Sequence, residues 1–168
     1  MILTIAALVL STLALGVSTV LAVRQFQEAR VANQLPVVLD MFHGLRTETF
    51  YAHEDYVLKH LQNDCPATLG YSGLSGASRA AFQTVASFYT SIGGMVAFRL
   101  ISKDLASALF GSRMLRVWAV MEPYVHQERQ TRGGVYAEYF EYFAEVVVRH
   151  PPAKVLRKQG LGRFLAPS

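Results

Sequence analysis

The feature that most constrains this chain is an uncharged apolar run at its N-terminus, from Ile2 to Val23. A helix of this length would extend about 33 Å at about 1.5 Å per residue, and the hydrocarbon core of a bilayer is about 30 Å thick. Lipid offers the backbone no hydrogen-bond partner, so a single spanning segment has to be helical. The sequence therefore predicts a transmembrane helix over residues 1–23, with the lipid bilayer as its partner.

A cleavable signal peptide is the alternative for this segment. Val20-Leu21-Ala22 offers residues at which a peptidase could cut. However, the apolar run is longer than the usual ~7–15 residues, and no Lys or Arg precedes it. A retained anchor is therefore favoured.

The cations near the apolar run lie on one side only. Arg24 and Arg30 follow it closely, and nothing cationic except the amino terminus precedes it. The positive-inside rule then predicts a single-pass protein of the cell membrane, with the N-terminus outside and the C-terminal domain in the cytoplasm.

Small residues recur within the apolar run at spacings of four, three, four and four. They are Ala7, Ser11, Ala14, Ser18 and Ala22. On a helix this spacing forms one stripe, along which another helix backbone could approach closely. The stripe predicts a homodimer packed through the membrane helix; the alternative is that small residues are simply common in such segments.

The net charge of +4 is unevenly distributed. Residues 146–168 hold five Lys or Arg and no acid, whereas residues 24–145 have a balance of −1. The high isoelectric point therefore does not describe a basic domain surface, and no nucleic-acid partner is expected. Because Cys65 is the only cysteine, an intrachain disulfide is excluded.

Behind the anchor, apolar residues recur at threes and fours, and no strand-type alternation is sustained. This pattern predicts an all-α fold, in which a connector (24–35) leads to an antiparallel bundle of four to five helices (36–150) and a basic tail (151–168). Thr47 and Ser102 are candidate helix caps. Gly93-Gly94 indicates close packing of a neighbouring helix, and the composition of residues 63–77 predicts a long loop.

The apolar spacing also predicts core positions and helix ends. The first bundle helix begins with Pro36 and reaches Leu45. The buried stripe of the third helix is formed by Phe82, Val85, Tyr89, Ile92 and Val96. The fourth helix buries Leu109, bends at Pro123 and ends at Gly133-Gly134. The fifth helix buries Tyr139, and Pro151-Pro152 stops it.

No motif in the chain carries recognisable chemistry. The five histidines lack the spacing of a zinc site, and neither a nucleophile elbow nor a phosphate-binding loop is present. No catalytic, cofactor or metal site is predicted, and whether the chain is an enzyme is left open. The charges around Trp118 are interpreted as a solvated face over a core tryptophan, with a partner surface as the alternative.

The basic tail is a candidate membrane contact. Anionic lipid attracts cations near its surface by ~1 kcal/mol each. Candidate lipid contacts are Lys154, Arg157, Lys158 and Arg163. The alternative is a disordered, solubilising tail.

Several short motifs are spread along the chain: Asn33-Gln34-Leu35-Pro36 after the single span, Tyr56-Val57, Arg116-Val117-Trp118, Pro123-Tyr124 and Gly133-Gly134. With these motifs the chain resembles an uncharacterised bacterial family of small single-pass helical membrane proteins, a family built on a domain of unknown function. The resemblance covers nearly the whole chain. It implies bacterial origin and supplies no activity, substrate or cofactor.

Together these patterns predict a membrane-tethered interaction or signalling module with an unknown protein partner. The alternative is a membrane-anchored enzyme or small-ligand sensor, with its site inside the bundle near Trp118 and residues 63–77. A secreted helical domain is a third class.

Overall fold

The computed structural model describes residues 10–25, 29, 36, 39 and 47–162. The chain divides into two compact units, Met1–Met41 and Phe42–Ser168. In the first unit, residues 10–25 form a helix, α1, on which every side chain is exposed. The predicted anchor lies partly outside the described residues, because residues 2–9 are not among them. Among the helices of the described part, none combines the length and apolarity needed to cross a bilayer.

Every regular element that the structure describes in the second unit is helical, which confirms the all-α prediction. Its elements in chain order are α2 (Glu48–Lys59), α3 (Leu61–Asp64), a 3₁₀ turn (Ala67–Leu69), α4 (Gly70–Gly73), α5 (Gly76–Ala97), α6 (Lys103–Ala106), a π-helical turn (Ser107–Gly111), α7 (Ser112–Arg132), α8 (Glu138–Arg149) and α9 (Pro152–Lys158). The four long helices α2, α5, α7 and α8 correspond to four of the predicted helices. The first predicted bundle helix, near residues 36–45, lies largely outside the described residues.

The core is aromatic and is built around α5, which packs against α2 and α8. The five predicted core positions of α5, Phe82, Val85, Tyr89, Ile92 and Val96, are all buried. They recur at threes and fours, which places them on one stripe of the helix. The Tyr89 ring stacks on the ring of Phe140 in α8, with centroids 5.2 Å apart.

Gly93 brings α5 and α8 into backbone contact. A Cβ atom built on Gly93 would lie 1.8 Å from the carbonyl oxygen of Tyr139, whereas the nearest atom to one built on Gly94 is a Tyr139 ring carbon at 3.9 Å. The prediction that the glycine pair allows close helix packing is confirmed, and Gly93 is the residue responsible.

The structure confirms both predicted N-terminal helix caps. The Thr47 hydroxyl accepts a hydrogen bond from the Phe50 amide at 3.3 Å. The Ser102 hydroxyl accepts one from the Leu105 amide at 3.2 Å. Each satisfies one of the unpaired donors at the start of a helix.

Two predicted irregular segments are more helical than the composition indicates. Residues 63–77, predicted as one long loop, form the end of α3, the 3₁₀ turn, α4 and the start of α5. In the tail, Pro151 ends α8 as expected, but Pro152 occupies the first position of α9. Proline is favoured there because its missing N–H would be unpaired anyway. Val155 anchors α9 in the core, so a tail disordered from residue 151 onwards is wrong for residues 152–158.

Some expected core positions are exposed instead. Leu109 and Tyr139 were predicted to be buried but are 42% and 38% exposed. The π-helical turn at residues 107–111 shifts the register of the α7 stripe, and this displaces Leu109. Pro123 lies inside α7, which runs unbroken through the predicted bend.

Candidate functional site

Glu54 is a carboxylate buried in the bundle, only 1% exposed. It lies on α2 and accepts a hydrogen bond from the Tyr89 hydroxyl at 2.8 Å. Its other oxygen is paired with the guanidinium of Arg113, from α7. Burial, reinforced by the negative charge of Glu54, raises the pKa of Tyr89 far above its ordinary value, so the phenol remains a donor. This cluster therefore ties together three of the four long helices.

An open cleft of about 510 Å³ lies directly above this cluster, between α2 and α7. It is lined by Glu48, Tyr51, Ala52, Glu54, Asp55, Leu58, Arg113 and Arg116. Arg113 lies over the Tyr51 ring, with its guanidinium carbon 4.9 Å from the ring centroid. Asp55 pairs with Lys59 at 2.6 Å. The cleft thus offers an aromatic wall and a mixed set of charges, most of them already engaged.

Arg116 is the cation of this cleft that remains available. It is exposed and makes neither a hydrogen bond nor an ion pair with the described residues. A guanidinium in this setting can bind a carboxylate or phosphate through two parallel hydrogen bonds. The α2–α7 cleft is therefore suited to a small anion or to an acidic side chain.

Glu128 is a second buried carboxylate, also 1% exposed. Its two oxygens accept hydrogen bonds from the Ser72 amide at 2.7 Å and from the Ser72 hydroxyl. Arg132 pairs with it at 2.8 Å, and Arg79 binds the Ser72 carbonyl. Burial raises the pKa of Glu128, but the hydrogen bonds from Ser72 and the positive charges of Arg132 and Arg79 outweigh it. The pKa therefore lies below its ordinary value.

Glu128 fastens α4 onto α7. Gly70, at φ +58°, turns the chain so closely over Glu128 that an added Cβ would lie 3.0 Å from a carboxylate oxygen and 3.2 Å from the Glu128 amide. Next to it, Tyr71 stacks on Tyr136, with ring centroids 5.4 Å apart. Residues 63–77 are thus held on the second half of α7.

A second cleft, of about 440 Å³, lies between α7 and α8 beside Trp118. Two acidic residues that line it are held in ion pairs: Glu145 contacts Arg149 at 2.6 Å, and Glu141 contacts Arg129 at 2.6 Å. Trp118 is 7% exposed and meets Phe140 edge to face at 4.8 Å, which confirms it as a core residue. Residues 63–77 contact α7 at Tyr124, whose hydroxyl donates to the Cys65 carbonyl, and at Glu128. These positions lie six and ten residues, or about 9 and 15 Å, beyond Trp118 along the helix.

Several other polar side chains form smaller contacts away from the two buried carboxylates. The Tyr56 hydroxyl contacts Asp64 at 2.9 Å and Ser78 at 2.8 Å, and the Cys65 thiol lies 3.4 Å from the Ser78 hydroxyl. His126 lies 3.7 Å from Glu141. Within the described ranges, no group of three or more His, Cys, Asp or Glu side chains converges as metal ligands would.

The residues predicted from the sequence to pack in the membrane or to contact lipid lie on two helices. Ser11, Ala14, Ser18 and Ala22 lie on α1, and Lys154, Arg157 and Lys158 are exposed on α9. The Lys158 ammonium lies 3.5 Å from Asp104 at the start of α6. Ala7 and Arg163 lie outside the described residues.

Sequence reasoning did not identify the two buried carboxylates. Glu128 lies among the charges around Trp118 that were interpreted as a solvated face, and Glu54 stands beside Asp55 in a carboxylate pair to which no role was assigned. One signal was present: Glu54 lies four residues after Phe50 and three before Val57, which places it on the apolar stripe of α2.

Comparison with known proteins gives one match. The family model described as "Domain of unknown function (DUF4760)" matches residues 2–149. No curated protein and no solved structure matches the chain. Since the match covers most of the 168 residues, the chain belongs to the DUF4760 family.

Proposed function

We propose that this chain is a membrane-tethered helical module that binds a partner through the surface of its bundle. The apolar, uncharged segment from Ile2 to Val23 is the observation that carries the proposal. Two further features support it: the described part of this segment is helical with apolar side chains facing outward, and the bundle is a separate compact unit. The tether holds the domain at the cell membrane, on the cytoplasmic side by the positive-inside rule.

The side chains that α1 exposes are consistent with this role. Leu10, Leu13 and Leu15 are each more than 60% exposed, which is favourable only if lipid or another helix covers them. The stripe of small residues on the same helix is where a second copy would pack, giving a homodimer in the membrane. The cations of α9 are proposed contacts for anionic lipid.

The test is the retention of the full-length chain in membranes. With a C-terminal reporter, the wild-type protein is expected to stay with membranes through an alkaline wash, and the reporter to be protected from protease added to intact cells. Leu13→Arg places a charge in the middle of the apolar segment and disfavours insertion by about 2.5–3.5 kcal/mol, so it should release much of the protein. Leu13→Ala, which removes the same side chain without adding charge, is the control. A wild-type chain that is soluble without detergent, or cut after Ala22, would refute the proposal.

A second candidate function, a small-ligand sensor, is favoured by one observation. Ionisable groups converge on the α2–α7 cleft, with Arg116 available to an anion. A bound ligand stabilises the folded state by an amount that grows with its concentration over Kd. Millimolar inorganic phosphate or acetate should then raise the Tm of the wild type and leave that of Arg116→Ala unchanged. Equal shifts in both proteins would remove this candidate.

A further inference from the structure

The turn that follows α5 presents two large apolar side chains to the outside of the domain. Phe98 is 68% exposed and Leu100 is 57% exposed. The turn is nevertheless well formed: the Leu100 amide bonds to the Met95 carbonyl at 2.8 Å, and the Arg99 amide bonds to the Val96 carbonyl at 3.1 Å. These two bonds define a Schellman helix end, in which the residue at the Leu100 position usually packs back against the helix. Here it points away instead.

Arg99 stands between these two apolar side chains. Its φ is +60°, in the left-handed position where a helix of this kind normally ends with glycine. Its guanidinium makes no ion pair or hydrogen bond with the described residues, so no intradomain contact explains a side chain at this position. Beside Arg99, the ring of Tyr139 packs near the ring of Phe98, with centroids 5.9 Å apart. The turn thus combines exposed aromatic and aliphatic groups with an available cation.

The basic face of α9 adjoins the start of α6, which follows this turn closely in the chain. Asp104, next to Lys103, contacts both Lys158 at 3.5 Å and His150 at 3.4 Å. On α9, the cations Lys154, Arg157 and Lys158 are exposed and share an arc of about 100°, and Val155, outside that arc, is buried. We call Phe98, Arg99, Leu100, Lys103, Lys154, Arg157 and Lys158 together the α5–α9 surface.

Positive charge is concentrated at this surface. Residues 98–104 and 151–162 contain five cations and one acid, Asp104, a balance of +4. The rest of residues 47–162 contains seven cations and nine acids, a balance of −2. A positively charged patch with exposed apolar tips on a domain that is otherwise slightly negative is complementary to an anionic bilayer, which offers phosphates above hydrocarbon.

We propose that the α5–α9 surface docks on anionic lipid, with Phe98 and Leu100 entering the boundary between headgroups and acyl chains. Arg99, Lys103 and the cations of α9 contact the lipid phosphates. This inference rests on the proposed tether, which keeps the domain at the membrane so that a weak surface contact is occupied. An acidic protein would match the charges, but it would not place Phe98 in hydrocarbon.

Quenching by lipid tests this directly. In the full-length protein reconstituted into vesicles of bromine-labelled lipid, Phe98→Trp places an indole at the turn. Leu69→Trp is the matched control. It is 44% exposed in the 3₁₀ turn that precedes α4, and the whole of α5, a helix about 33 Å long, separates it in the chain from Phe98. In vesicles containing phosphatidylglycerol, the indole at position 98 should be quenched and blue-shifted, and the indole at position 69 should not. Trp118 gives the same background in both.

Three results would overturn the proposal. The indoles at positions 98 and 69 could be quenched equally, or neither could be quenched. The indole at position 98 could also be quenched as strongly in uncharged vesicles as in vesicles containing phosphatidylglycerol. Adding Arg99→Gln and Lys103→Gln removes two cations, each contributing roughly fivefold to docking, so the docked-to-free ratio should fall about 25-fold. Circular dichroism checks that each variant is folded. If flotation shows that the chain leaves the vesicles, the tether is wrong. Anionic vesicles are then added in large excess, so that even a weak surface contact is occupied without a tether, and quenching at position 98 decides whether this surface binds lipid.

Discussion

Replacing the two adjacent glycines of α5 by alanine should have opposite effects on stability. Gly94→Ala adds a methyl group that meets a Tyr139 ring carbon at 3.9 Å, an ordinary contact. The change also removes the conformational freedom of glycine in a helix, so we expect a gain of about 0.5–1 kcal/mol. Gly93→Ala brings the same gain in helix propensity, but its methyl group would lie 1.8 Å from the Tyr139 carbonyl oxygen.

The methyl group added by Gly93→Ala cannot be accommodated by a side-chain movement, because the atom opposite belongs to the backbone of α8. The two helices would have to separate by about 1.5 Å at this point to restore van der Waals contact. Overpacking of this kind costs about 1–3 kcal/mol, and more where no rotamer change relieves it. After the gain in propensity, we expect Gly93→Ala to lose roughly 2–3 kcal/mol and the two variants to differ by about 2.5–4 kcal/mol.

Trp118 provides the assay, because it is the only tryptophan and packs edge to face on Phe140 of α8. Urea unfolding of the full-length protein at fixed detergent concentration, followed by its fluorescence, gives the free energy of unfolding for each variant. With an m-value of about 1–3 kcal/mol/M, the predicted difference separates the two midpoints by about 1 M or more. If Gly93→Ala were as stable as Gly94→Ala, the backbones of α5 and α8 would not meet at Gly93, and the packing described here would be wrong.

Three further substitutions test other contacts by the same unfolding measurement. Tyr89→Phe removes a buried donor from Glu54 and should cost about 1–3 kcal/mol; no loss would mean that the hydrogen bond is absent. Because the folded pKa of Glu128 is lowered, its stabilising contribution is complete above the ordinary glutamate pKa of about 4.3 and is lost as the pH falls through the folded value. Ser72→Ala removes a hydrogen bond to this carboxylate and should shrink that pH dependence, whereas an unchanged acid limb would contradict the assignment. Arg99→Gly removes the steric cost of a left-handed backbone at a non-glycine residue, which is about 1–2 kcal/mol. Because glycine loses more entropy on folding, we expect the folded state to gain only about 0.5–1 kcal/mol. Destabilisation would show that the arginine side chain holds the turn.

The long helices could be predicted because their cores are periodic and their ends carry local signals. Thr47 and Ser102 cap helices, and Gly133 ends α7, through contacts with residues only a few positions away. The spacing of Phe82, Tyr89 and their neighbours fixes one buried face of α5. Because each of these signals involves residues within a few positions of one another, it can be read directly from the sequence.

The contacts made at long range could not be predicted in this way. Glu54 and Arg113 are 59 positions apart, and Ser72 and Glu128 are 56 apart. Whether a charged residue is solvated or buried depends on whether such a distant partner reaches it, since an unpaired charge would not remain inside. The segment at residues 63–77 illustrates the same limit. Its glycine- and serine-rich composition is typical of a loop, and the carboxylate of Glu128 organises it into α4.

The distribution of charge connects the fold to the proposed role. Dividing the sequence at residue 146 assigned the positive excess to the tail, but the structure joins that tail to Arg99 and Lys103 through the contact between Lys158 and Asp104. With +4 at this surface and −2 over the rest of residues 47–162, the proposed docking would begin before contact: an anionic membrane would turn the positive side toward itself, because the two parts experience opposite forces in the same field. This orienting force is screened over about 8 Å at physiological salt, so it matters only for a domain already held close to the bilayer. The two proposals therefore depend on each other: the proposed tether would supply proximity, and the charged surface would determine which face of the bundle is left for a partner.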